Sequence, residues 1–208
     1  SALNAQNGGA DRIELCSELS VGGITPSHGC IKLVKELLDI PVYVLIRPRG
    51  GDFVYSALEV ETIKEDIAFC AEIGCEGVVI GALDSQRKIN SKLTNRMLEW
   101  AGFMDVTFHR AFDDVANHFE ALDTLRELGI QRVLTSGGEK NAMAGIELLG
   151  ELIDEADDEV IIMPGGGIRP ENLKILQETG AVEFHSSGLG PNEYLTSKIA
   201  VEQMKSLL

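Results

Sequence analysis

Alternation constrains this chain more than any other feature. Short apolar, β-branched runs recur along it, and an amphipathic stretch of helical period follows each one. The runs lie at 12–16, 41–48 (PVYVLIRP), 77–83 (GVVIGAL), 105–110, 132–136, 160–164 and 182–187. The helices are predicted at about 26–38, 59–73, 90–101, 115–128, 141–155, 170–178 and 195–208. A helix between every pair of strands makes the sheet parallel, because a parallel connection needs a crossover of a dozen residues or more. No linker or composition break divides the 208 residues, so one domain over 1–208 is expected. Ala2, Leu3 and Ala5 read as a helix tail stopped by Gly8-Gly9, which predicts a further strand before Ser1. Seven visible units plus that strand make eight. The predicted fold class is α/β, a TIM (β/α)8-like barrel with its first strand missing from this chain. A doubly wound open sheet is the alternative.

The stretch DVTFHRAFD (105–113) shows why closure is preferred. Period-two alternation puts Val106, Phe108 and Arg110 on one side and Thr107 and His109 on the other. The apolar side belongs under the helices, so Thr107 and His109 face whatever the sheet encloses. The same reading points Glu14 and Cys16, Arg47 and Arg49, Ser136, and Glu183, His185 and Ser187 inward, with Asp113 just past its strand. An ordinary barrel interior is filled by Val, Ile and Leu. Charged and polar groups gathered at strand C-termini, where barrel active sites lie, point instead to a ligand pocket. The competing reading is a structural network in which Glu14 bridges Arg47 and nothing binds.

Glycine-rich turns close several strands: Gly137-Gly138, Gly165-Gly166-Gly167, and Ser186-Ser187-Gly188. Loops after the last two strands of a barrel often hold phosphate through backbone N–H groups. In an enzyme reading, Arg47, Arg49, Asp52, Ser136, Gly165, Gly166, Ser186 and Ser187 bind a small anionic ligand. Glu14, His109, Asp113 and His185 then supply the catalytic groups, with Asp113 or Glu183 orienting a histidine. His28 and His118 fall in helices and are expected at the surface. Cys30, Cys70 and Cys75 are expected as core thiols, whereas Cys16 ends a strand on the polar face.

Charge excludes some partners. A net charge of −15 repels phosphate backbones and anionic lipid, so neither nucleic acid nor membrane is an expected partner. The four cysteines show no paired metal spacing and fit a reducing compartment, so the cytoplasm is the expected location. Barrels of this class often form homodimers, but no apolar surface stripe decides the point.

Seven motifs in order resemble the CutC family, named for copper homeostasis: GGADRIELC (8–16), GGITPS (22–27), IRPRGGDFVY (46–55), TFHRAFD (107–113), LTSGG (134–138), MPGGGI (163–168) and EFHSS (183–187). The resemblance implies a TIM-like barrel and cytoplasmic copper handling through Cu(I), with Cys16 as the metal-binding residue. A soft thiolate suits Cu(I). A second soft ligand would have to come from Cys30, Met163 or a histidine such as His109. The segment after Gly188 is shorter than the resemblance implies.

Overall fold

The computed structural model describes residues 1–190 and 195–208. Six parallel strands form one sheet in chain order: β1 (Ile13–Leu15), β2 (Val42–Leu45), β3 (Gly77–Ile80), β4 (Asp105–Phe108), β5 (Arg132–Thr135) and β6 (Ile161–Pro164). Helices α2 (His28–Leu37), α3 (Ala57–Glu72), α4 (Ser91–Ala101), α5 (His118–Glu127) and α6 (Ile146–Ala156) connect them. α1 (Ala2–Asn7) precedes β1, while α7 (Pro170–Gln177) and α8 (Lys198–Lys205) follow β6.

The strands form where β-branched and aromatic residues alternate over two buried faces. Val42, Val44, Val78, Ile80, Phe108, Val133 and Ile162 point outward and pack under the helices in one core. Tyr43, Leu45 and Val79 form a small separate cluster on the inside, with Cys16 against it. Side chains sew the two ends of the sheet together across the interior. Arg12 reaches Glu183 at 2.6 Å, and His185 reaches Glu14 at 3.2 Å. The sheet is therefore curled as a partial TIM-like barrel, not laid open.

Helix starts follow local chemistry. Ser56 opens α3 with a reciprocal capping box to Glu59, and Asn117 accepts two N–H bonds at the start of α5. Several boundaries differ from the sequence reading. The seventh predicted strand (182–187) keeps one parallel bridge, Gly165 to His185, because only the His185 N–H finds a ladder acceptor, Pro164 O at 2.8 Å. The predicted helix from 115 starts only at His118 as α5, and a 3-10 turn over Arg110–Asp114, which the sequence reading did not expect, precedes it. Residues 141–145 turn before α6 begins, and the last helix is confined to α8.

Candidate functional site

The inner face carries two separate polar groups. At the N-terminal ends of the strands, Glu183 accepts from Arg132 Nε and Nη2 (2.6 and 3.0 Å) and from Arg12 Nη2 (2.6 Å). Tyr43 donates to Asp105 beside them. Burial would raise the Glu183 carboxyl, but the two guanidinium groups outweigh it and hold it below its ordinary range. Burial and the Asp105 bond push Tyr43 up to about 12. This end of a barrel serves stability, so Glu183 neutralises arginines and does not orient a histidine.

The second group lies toward the C-terminal ends. His109 is buried, and its ring fills space left by a glycine: a Cβ on Gly81 would stand 2.4 Å from the ring. The Ala111 N–H donates to His109 Nδ1 at 3.0 Å, which leaves Nε2 to carry the proton of the neutral ring. Among the described residues, that buried Nε2–H has no partner. Burial first, and the nearby Arg47 charge second, pull this imidazole down to about 3. It is a neutral hydrogen-bond donor at physiological pH. Thr107 Oγ1, two residues earlier on the same face, is also buried and unpartnered.

Glu14 pairs with His185 through Oε2, while its buried Oε1 has no partner among the described residues. Burial lowers the His185 pKa, but the Glu14 carboxylate overrides it, and the net shift is upward. The Glu14–Arg47 bridge of the competing reading does not form, because Arg47 is committed elsewhere. It donates to the carbonyls of Val21 (2.8 Å), Gly23 (3.0 Å) and Gly51 (2.7 Å), and stacks 4.7 Å from the Phe53 ring. Arg49 binds Glu59, Asp52 and the Val54 carbonyl. Both arginines brace loops, and Asp52 works with them by accepting the Val54 N–H.

Arg110 takes the place predicted for those arginines. Alternation put it outward, but the 3-10 turn after β4 swings it to the rim. It donates to Asp113 (2.7 Å) and Ser136 Oγ (2.7 Å), and its Nη1 lies 3.5 Å from where a Gly166 Cβ would stand. Asp113 accepts from the N–H groups of Ser136 and Gly138 and from Thr135 Oγ1, so it fixes this loop and does not orient His109. Arg169, also missed by the sequence reading, reaches Ser187 Oγ at 3.4 Å. Its only sequence signal was a cation two residues past the triple glycine. Ser186 Oγ donates to the Ile168 carbonyl at 2.8 Å. Among the described residues, the N–H groups of Gly166, Gly167, Ser186 and Ser187 donate to no acceptor. Gly165 is buried on the inner face, where a Cβ would meet Leu134 at 2.4 Å.

Cys16 sits on the inner face beside Leu45 and Gly23. Burial, then Glu14, raise its thiol pKa, so it is protonated until a ligand displaces the proton. Met163 Sδ accepts from Arg12 Nη2 at 3.1 Å. Cys30 is not a core thiol. It is exposed on α2, one residue off the stripe that buries Ile31, and it cannot reach the inner face. Among the described residues, no three His, Cys, Asp or Glu side chains gather as a metal-holding group. The donor set therefore fits a single thiolate contact and not a closed site. His28 is exposed and stacks on Phe69, as a surface residue should, whereas His118 is half-buried.

These features define a TIM-like barrel with a cluster of polar groups at the C-terminal ends of its strands. The CutC family model matches residues 1–190, and the chain belongs to the CutC family. A CutC family protein of Xanthomonas campestris is 48% identical over 92% of this chain and 80% of its own length. The human copper homeostasis protein cutC homolog is 50% identical over 90% of this chain and 69% of its own length. The crystal structure of the Streptococcus agalactiae CutC protein superposes with a TM-score of 0.81 at 36% identity, covering 84% of this chain and 87% of that one. Thiamine phosphate pyrophosphorylase of Pyrococcus furiosus, at 15% identity and a TM-score of 0.65, shares the fold over 99% of this chain and 86% of its own.

Proposed function

We propose that this chain is a cytoplasmic protein of copper homeostasis whose inner face binds a small ligand and offers it acid–base groups. The observation that carries the proposal is the set of buried, unpartnered polar atoms on that face: His109 Nε2, Thr107 Oγ1 and Glu14 Oε1. Leaving each of these unpaired costs roughly 1–3 kcal/mol, a cost that a bound molecule would offset. The rim favours an anion. Four unclaimed N–H groups at Gly166, Gly167, Ser186 and Ser187, together with Arg110 and Arg169, suit a phosphate or carboxylate. Within such a complex, neutral His109 donates to a developing negative oxygen. The Glu14–His185 pair moves a proton, because His185 is the inner-face group whose pKa is raised from near neutrality.

A second reading is Cu(I) itself as the ligand, held by Cys16. It is favoured by the names of the human and mouse relatives and by Cys16 being a thiol beside the Glu14–His185 pair. The two readings separate in paired titrations. The first is an anaerobic Cu(I) competition on the wild type and Cys16→Ser. The second is a phosphate titration on the wild type and Arg110→Met. Phosphate binding lost in Arg110→Met supports the anion reading. Tight Cu(I) binding lost in Cys16→Ser supports the metal reading. Neither ligand binding would overturn the proposal.

A further inference from the structure

The turn between α3 and β3 holds two thiols far from the inner face. Ile63, Ile67 and Cys70 form the buried stripe of α3, and Cys70 is fully buried. The helix then stops at Gly74, whose φ of +76° reverses the chain. The Cys75 N–H donates to the Cys70 carbonyl at 2.9 Å, and the Gly74 N–H to the Ala71 carbonyl at 3.2 Å. Those two bonds define a Schellman cap, with Cys70 at C3 and Cys75 at C″. Such a cap brings the C3 and C″ side chains into contact, a place normally taken by two apolar residues. Here both positions are cysteines: Cys70 is fully buried and Cys75 is 5% exposed.

We propose that Cys70 and Cys75 form a peroxide-reactive dithiol that closes to a disulfide across this cap. Cys75 is the attacking thiol. It loses its proton to solvent, its thiolate attacks one oxygen of hydrogen peroxide, the O–O bond breaks, and water leaves once the departing hydroxide is protonated. Cys75 is then a sulfenic acid. The Cys70 sulfur attacks the Cys75 sulfur, the S–O bond breaks, and a second water leaves with the Cys70 proton. Two thiols are oxidised by two electrons and one peroxide is reduced to two waters. The roles follow from position: Cys75 lies nearest solvent, whereas Cys70 is enclosed by the core. They follow also from charge. The neighbouring Cys70 thiol, and then Lys35, lower the Cys75 pKa against the cost of burial, while the partner thiol and burial raise that of Cys70. A disulfide is uncharged and suits this apolar site.

The test uses the reduced full chain, treated with graded hydrogen peroxide, then unfolded, alkylated and digested with trypsin. One tryptic peptide, 65–87, holds both cysteines and no others. The expected product is that peptide about 2 Da lighter and unalkylated, the two thiol hydrogens having been lost. It should appear at peroxide levels no higher than those that oxidise exposed Cys30. In Cys70→Ser, a dimedone adduct should accumulate on Cys75. In Cys75→Ser, Cys70 should stay alkylatable. Full alkylation of both cysteines at doses that oxidise Cys30, or sulfinic acid without a disulfide, would overturn the proposal. A dimedone adduct on Cys70 in place of Cys75 would overturn the assignment of roles.

Discussion

Replacing Gly81 by alanine asks directly whether His109 is held where the account requires. The three atoms nearest an added Cβ all belong to the imidazole, at 2.4, 2.5 and 3.0 Å. Ordinary contact begins near 3.4 Å, so the ring must retreat by about 1 Å. Phe53 and Phe108 flank it, with ring centroids at 5.0 and 6.0 Å, so little free space lies behind it. Overpacking of this kind costs about 1–3 kcal/mol, and breaking the Ala111 N–H bond adds about 0.5–1.5 kcal/mol. The sum, about 1.5–4.5 kcal/mol, corresponds to a Tm lower by about 3–18 °C for a chain of this size. Gly81 is not among the positive-φ glycines, so alanine adds no backbone strain there. The same substitution in a His109→Ala background should therefore be neutral, or stabilising by up to about 1 kcal/mol. Calorimetry on the four proteins of this cycle gives the coupling. A Gly81→Ala protein as stable as the wild type, or equal losses in both backgrounds, would refute the placement of His109 against Gly81.

Other substitutions probe the rest of the inner face. Glu183→Gln should cost about 2–3 kcal/mol by denaturant unfolding, less than a fully buried pair because Glu183 is 24% exposed. The Glu183 pKa is lowered, so its contribution is present above the unfolded value near 4.5 and is lost as pH falls through the folded value. The wild-type advantage over Glu183→Gln should shrink in acid, and an advantage that grows there would contradict the pairing. The His185 pKa is raised, so its bond to Glu14 stabilises fully below about pH 6.5 and fades as pH rises through the folded pKa. The stability gap between the wild type and His185→Gln should accordingly be wider at pH 5.5 than at pH 8.5. Arg110→Met should weaken phosphate binding at least about tenfold while leaving the fold intact, as read by calorimetry and circular dichroism.

Much of this arrangement was legible because strand alternation survives burial on both sides. Tyr43, Leu45 and Arg47, and likewise Thr107 and His109, face inward as period two demands, and the 3.6-residue period located every connecting helix. The arginines were misread for a reason of chemistry. The partners of Arg47 are the carbonyls of Val21, Gly23 and Gly51, and backbone acceptors leave no mark in a sequence. Arg110 escaped because alternation ends with the strand, and the 3-10 turn that follows rotates the side chain by a different rule. Glu183 looked like a helper of histidine, since its partners Arg12 and Arg132 come from distant strands that only the curl of the sheet brings together.

The central claim is that the inner face holds one neutral histidine as a donor and one titrating histidine as its acid–base partner. Nitrogen-15 NMR of the imidazoles, followed from pH 4 to 9 with and without inorganic phosphate, tests it most directly. His109 should remain in the neutral Nε2–H form down to the acid end of that range, its pKa being near 3. His185 should titrate above its ordinary value near 6.5, and phosphate should shift that titration. A His109 that protonates near pH 6.5, or two histidines that titrate alike and ignore phosphate, would contradict the account.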